Sequence, residues 1–207
     1  MTKKPGNVFI ISAPSGVGKS SLVKSLLEMM SSLYVSISHT TRPKRPYETD
    51  GIHYNFVEKE AFESLVKADQ FLEYALVFDN YYGTSRQWVE KQLAEGKDII
   101  LEIDWQGAQQ VKKKLQNTIN IFILPPTYEE LKSRLIGRGD DEEMISHRMS
   151  EAKNELIHYK EYDFIVVNDD FDSALNDLKI LILTMKHGYQ QQMGYYDDIV
   201  AGLLNDS

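Results

Sequence analysis

Ala13-Pro14-Ser15-Gly16-Val17-Gly18-Lys19-Ser20 is the stretch best equipped for chemistry. Small residues let backbone N–H groups turn inward and cradle anionic oxygens. A helix starting at Lys19 aims its positive end at the same oxygens. Lys19 adds a mobile ammonium, and the Ser20 hydroxyl is placed to ligate Mg²⁺. The apolar run Val8-Phe9-Ile10-Ile11 precedes the loop, and an amphipathic segment, Ser21 to Met30, follows it. Strand, tight loop and helix form the context a phosphate-binding P-loop requires. Ala13 stands where the strict pattern has its first glycine, so the reading rests on Gly18-Lys19-Ser20 and on that context. A strand-to-helix turn with a surface lysine is the simpler alternative and explains less. The stretch therefore handles a nucleoside triphosphate, and other residues must present the phosphoryl acceptor.

Glu73 lies in Phe71–Phe78, which reads as a strand. Phe71, Glu73, Ala75 and Val77 then share one face, and Leu72, Tyr74, Leu76 and Phe78 share the other. A carboxylate on a largely apolar face is either a recognition group or an edge-strand charge that discourages aggregation. Arg42 and Arg45 flank a proline turn just after a core strand. Two guanidinium groups there could clamp a phosphate, or could simply form a solvated basic loop. Glu102 and Asp104 close the apolar run Ile99–Asp104. A carboxylate at that strand end can orient Mg²⁺ or its waters. An exposed strand-end charge is the plainer reading, and it suits Asp104 better than Glu102. Arg134, Arg138 and Arg148 fall on or beside helices around Gly137-Arg138-Gly139, a candidate closing segment. There they could neutralise charge on a transferring phosphoryl group. The five histidines show no metal spacing, and Trp88 and Trp105 sit on helical patterns as core candidates.

The elements that must position these groups follow an alternation of short apolar runs and helical periods. That pattern predicts an α/β fold with a parallel sheet and crossover helices. The expected strands are Val8–Ser12, Tyr34–Ser38, Asp98–Asp104, Ile119–Leu124 and Asp163–Val167. The expected helices are Lys19–Met30, Trp105–Leu115, Tyr128–Gly137, Glu142–Tyr159 and Ser173–Gln192, with Thr127 and Glu130 as a capping box for the third. Residues 42–95 break the pattern. They predict a β-rich insert: a strand at His53–Val57, a helix at Lys59–Ala68, the Phe71–Phe78 strand, a turn at Asp79-Asn80, a returning strand Tyr81–Thr84 and a helix capped by Ser85. The 207 residues suffice for one such domain with a lobe. The net charge of −8 argues against nucleic acid or an anionic membrane as partner. No cysteine is present, which fits a reducing compartment. The N-terminus reads as too short for a signal peptide and no run spans a bilayer, so the expected location is cytoplasmic. The tyrosine-bearing tail, residues 187–207, reads as a docking helix or a homo-oligomer contact.

Taken together these motifs resemble the guanylate kinases, and among them the bacterial ones. The resemblance runs from the P-loop to about Lys186. It rests on Ser38-His39-Thr40-Thr41-Arg42-Pro43, Tyr54-Asn55-Phe56, Phe71-Leu72-Glu73, Tyr81-Tyr82-Gly83, Leu101-Glu102-Ile103-Asp104, Gly137-Arg138-Gly139 and Val167-Asn168-Asp169-Asp170. It implies a P-loop three-layer core with a five-stranded parallel sheet (residues 6–41 and 96–186). A GMP-binding insert (42–95) and a helical lid (about 134–148) would complete it. It implies the reaction of ATP and GMP to ADP and GDP, with Mg²⁺. Arg42, Arg45, Tyr54 and Tyr82 would hold the GMP phosphate. Glu73 would accept from the guanine N1–H and exocyclic amine, with Ser38 and Thr84 near O6. Thr84 departs from the serine of some relatives, and Glu102 stands where some have aspartate. Glu102 and Asp104 would approach substrate, Arg134, Arg138 and Arg148 would line the phosphate path, and Asn168 and Asp169 would lie near adenine. Two rivals stay open: a kinase for another nucleoside monophosphate or a sugar phosphate, and a non-catalytic interaction module of the same fold. The intact Gly18-Lys19-Ser20 argues against the second.

Overall fold

The structure is a computed structural model, and it describes residues 4–77, 79–137, 139 and 141–205. The expected positions Phe78 and Arg138 lie outside the described residues. In chain order the elements begin with β1 (Val8–Ser12), α1 (Lys19–Met29), β2 (Leu33–Val35), β3 (His39–Thr40) and β4 (Asn55–Phe56). Next come α2 (Lys59–Lys67), β5 (Phe71–Val77), β6 (Asn80–Ser85), α3 (Arg86–Ala94), β7 (Asp98–Glu102) and α4 (Trp105–Lys114). The chain closes with β8 (Ile119–Leu124), α5 (Tyr128–Gly137), α6 (Glu142–Leu156), β9 (Phe164–Val167), α7 (Phe171–Met185) and α8 (Tyr189–Asn205).

The core sheet has five parallel strands in the order β2-β7-β1-β8-β9. Val8–Ser12 and Ile99–Leu101 are buried throughout, as unbroken apolar strands covered on both faces must be. One face packs Phe9, Ile11, Ile100, Ile121 and Ile123 against α1, α5, α6 and α7. The other packs Val8, Ile10, Ile99 and Leu101 against Val89 of α3 and Ala108 and Val111 of α4. Three layers result, with the P-loop at the carboxyl end of the central strand, where such sheets bind ligands. Among the described residues no helix is long and apolar enough to cross a membrane.

A second sheet, in the order β4-β3-β6-β5, forms the insert. It begins at His39, ahead of Arg42, because β2 ends at Val35 and the chain leaves the core sheet earlier than the apolar pattern indicates. Its last helix, α3, starts on a Ser85 cap but buries Val89 in the core. Other boundaries shift for local reasons. Thr127 accepts from the Glu130 N–H at 3.0 Å, yet the Glu130 carboxylate pairs with Arg134 instead of closing the box. The helix expected over 173–192 is two: α7 closes at Met185, a turn spans 186–187, and α8 follows. Gln192 on α8 is buried and donates to Asn7 Oδ1 at 3.2 Å, which docks the tail beside the start of β1.

Candidate active site

The P-loop owes its shape to two glycines. Gly16 and Gly18 have φ of 99° and 100°, a region L side chains rarely adopt, and Gly18 caps α1. The loop is braced from behind. Asn168, buried at the end of β9, donates Nδ2–H to the Val17 carbonyl at 2.7 Å. Arg134 on α5 donates to the same carbonyl at 3.2 Å and holds Glu130 at 2.8 Å. A β-carbon on Gly18 would sit 2.8 Å from Asn168 Nδ2, so glycine also makes room for the brace. Asn168 thus supports the loop through its side chain, while its neighbour Asp169 is exposed.

Two carboxylates stand before the loop. The Ser20 hydroxyl lies 3.2 Å from Glu102 Oε2, at the end of β7. Asp104 caps α4 by accepting from the Gly107 N–H at 2.8 Å. Burial raises the Asp104 carboxyl above the ordinary range, and the Gly107 bond and the Lys19 ammonium only partly offset it. Glu102 and Ser20 pair oxygen donors in the way Mg²⁺ prefers: one or two protein groups, the rest of its shell from phosphates and water. Among the described residues no cluster of three or more acids and histidines competes as a metal site.

Across the cleft, Arg42, Tyr54 and Tyr82 come together in the insert. The Arg42 guanidinium lies over the Tyr54 ring at 5.4 Å, and the Tyr54 and Tyr82 rings meet edge-on at 5.8 Å. Burial pushes the Tyr54 phenol up to about 12, so it stays a neutral donor. Arg45 is exposed and donates to the Tyr47 hydroxyl at 3.1 Å. Ser38, half-buried between β2 and β3, gives its carbonyl to the Asn55 N–H at 2.9 Å.

Glu73 is 3% exposed and accepts from the Thr84 hydroxyl at 2.5 Å. Burial pushes its carboxyl up to about 7, with Thr84 opposing and Asp104 adding to the rise. The two-face alternation expected for Phe71–Phe78 holds only from Glu73 onward. A bulge between Phe71 and Glu73 lets three consecutive residues turn inward. Leu72 enters the core cluster of β7 and α4, while Phe71 stacks on Phe62 at 4.6 Å. The buried carboxylate therefore faces the core side of the cleft and is no edge-strand guard.

Arg148, on α6, is half-buried. Two acids matter that the motif reading missed. Glu48 is buried and accepts from Arg42 at 2.6 Å and from the Arg45 N–H at 2.8 Å. Burial pushes its carboxyl up, but these donors outweigh burial and hold it below the ordinary range. Its only sequence signal is an acid three to six residues past two arginines. Glu155, on α6, is pushed up to about 7 by burial, with Lys19 opposing, and its Oε2 is buried without a hydrogen-bond partner among the described residues. Nothing in the helical pattern marks it, because only the fold brings α6 to the P-loop. Trp105, expected in the core, is half-exposed and stacks on His158 at 3.7 Å.

Comparison with known proteins points to one family. Residues 5–185 match the family model described as guanylate kinase. The chain is 50% identical over 205 residues to a guanylate kinase of Pseudoalteromonas translucida, covering 99% of this chain and 100% of that one. It is 53% identical to a guanylate kinase of Shewanella violacea, covering 97% and 98% respectively. The crystal structure of guanylate kinase from Anaplasma phagocytophilum superposes with a TM-score of 0.79 at 30% identity, covering 95% of this chain and 94% of that one. A P-loop faced by an arginine–tyrosine cluster and a buried acid, on a chain so matched along its length, places this protein in the guanylate kinase family.

Proposed function

We propose that the chain is an ATP:GMP phosphotransferase that binds ATP on the P-loop, carries the γ-phosphoryl to GMP and releases ADP and GDP. The observation that carries this reading is the buried Glu73, held by Thr84. Guanine offers two adjacent donors, N1–H and the 2-amine, which one carboxylate accepts together. Adenine presents a bare acceptor at N1, and the buried charge would lose its partners. Such a mismatch costs several kcal/mol, about 10³-fold in discrimination.

In this reading the labour divides between the insert and the core. The insert (42–95) takes GMP: Arg42, Arg45, Tyr54 and Tyr82 hold its phosphate, and Glu73, with Ser38 and Thr84, reads the base. Asp104, close enough to act electrostatically on Glu73 and to feel the Lys19 ammonium, approaches substrate. Asn168 and Asp169 border the adenine end of the ATP site. The P-loop amides and Lys19 neutralise the β- and γ-phosphates. Arg134, Arg138 and Arg148, on the lid segment (about 134–148), add positive charge as the acceptor oxygen approaches phosphorus in line with the departing ADP. No covalent intermediate on the protein is needed, since alignment and charge neutralisation carry such transfers. Ser20 and Glu102 would hold Mg²⁺, which when bound supplies positive charge to the β- and γ-oxygens. A cytoplasmic location fits the absence of cysteine.

The test is a phosphorylation assay with ATP·Mg²⁺ across GMP, AMP, CMP and dTMP. GMP should be preferred over AMP by about 10³-fold. A preference for another acceptor, or ATP binding by calorimetry without turnover of any acceptor, would overturn the reading.

A further inference from the structure

The insert sheet ends on β5, and an edge strand offers its backbone to whatever lies beside it. Here that neighbour is α4 of the core. Gln110 Nε2 donates to the Tyr74 carbonyl at 2.7 Å, and Gln110 Oε1 accepts from the Tyr74 N–H at 3.2 Å. A single side-chain amide thus does for Tyr74 what a neighbouring strand would do. Four residues further along the helix, Lys114 donates to the Phe71 carbonyl at 3.4 Å. One turn before Gln110, Gly107 faces the carboxylate itself. A β-carbon there would lie 2.6 Å from Glu73 Oε2 and 3.1 Å from its carboxyl carbon. Gly107, Gln110 and Lys114 form one stripe of α4.

Glycine at 107 has no local reason. It lies inside a helix, where alanine is favoured, and its φ is not positive. The close approach of Glu73, tighter than that of Ile103 Cβ at 3.3 Å, is what chiefly accounts for it.

We infer that Gly107 and Gln110 are specificity-determining positioning residues. Gly107 sets how deep the Glu73 carboxylate sits, and Gln110 locks the strand carrying it one residue away. Together they hold both carboxylate oxygens where the N1–H and 2-amine of guanine meet them. The inference rests on the guanine-reading role proposed above for Glu73.

The test compares Gly107→Ala, Gln110→Ala and Glu73→Gln with the parent enzyme. Each is assayed with GMP and with inosine monophosphate, which keeps N1–H but lacks the 2-amine, and each is titrated with ATP by calorimetry. Gly107→Ala should lower kcat/KM for GMP by about tenfold or more and shrink the GMP:IMP preference toward that of Glu73→Gln. Its ATP affinity should stay within about twofold of the parent. Gln110→Ala should move both quantities the same way by less, and it carries the test should Gly107→Ala melt early. The clash at 107 falls on the end of a flexible side chain, so the fold should survive. Variants that slow GMP and IMP equally would reduce the contact to plain packing and overturn the inference, leaving the Glu73 reading intact. An unchanged preference in Glu73→Gln would instead overturn the guanine reading, and the seat with it.

Discussion

The Thr84 hydroxyl donates to Glu73 Oε1 across 2.5 Å, with both side chains buried. The bond favours the carboxylate but does not offset burial, so Glu73 titrates at about 7. Accepting two guanine donors requires the ionised form. GMP binding should therefore weaken as pH falls below about 7, and binding at pH 6 should release a proton. Calorimetry in buffers of differing ionisation enthalpy measures that release. A GMP affinity that stays flat from about pH 5.5 to about pH 8, roughly the span over which a group so raised changes charge, would remove Glu73 from the base site.

The same group sets a stability prediction for the free enzyme. Its folded value, about 7, lies above the 4.5 of the free side chain. The folded state therefore binds the extra proton between those values, and this group's contribution to stability falls as pH rises through them. The loss is at most about 3 kcal/mol. Glu73→Gln keeps an acceptor for Thr84 and has no charge to desolvate. It should gain stability relative to the parent at pH 8 and not at pH 4.5, read by denaturant melts at both.

Glu48 should act on GMP through Arg42. A glutamine in place of Glu48 keeps one acceptor oxygen of the two, so either the Arg42 guanidinium loses its 2.6 Å partner or the Arg45 N–H loses its acceptor, and the ionic partner of Arg42 is gone in both cases. Glu48→Gln should raise KM for GMP by about tenfold, the worth of one charge-assisted bond, with KM for ATP little changed. Steady-state kinetics with each nucleotide varied in turn separates the two.

Asn168 should act on ATP. Asn168→Ala leaves the Val17 carbonyl with Arg134 as its donor. Losing the buried bond should cost about 1–2 kcal/mol of stability and raise KM for ATP more than KM for GMP. Thermal melts and kinetics together check it.

Lys19→Ala should cut kcat by about 10²-fold or more while the fold persists, because its ammonium acts on charge that develops during transfer. Near-normal turnover with an unchanged circular dichroism spectrum would refute that role.

Local pattern carried much of this protein. The apolar runs of β1, β7 and β8 read as strands covered on both faces, and the glycine-spaced loop before α1 read best as an anion cradle at that helix end. Glu73 was visible as an acid among apolar neighbours. What the chain by itself could not disclose is which distant element meets each group. The bulge at Leu72 turns three successive residues inward because β7 and α4 accept Leu72 while Phe62 accepts Phe71. Gln110 reaches Tyr74 across 36 positions, and Asn168 reaches Val17 across 151. Periodicity records how often a chain buries a face, a property of neighbours in sequence. The partner that covers the face is chosen by packing among elements far apart in the chain, and only the tertiary structure decides it.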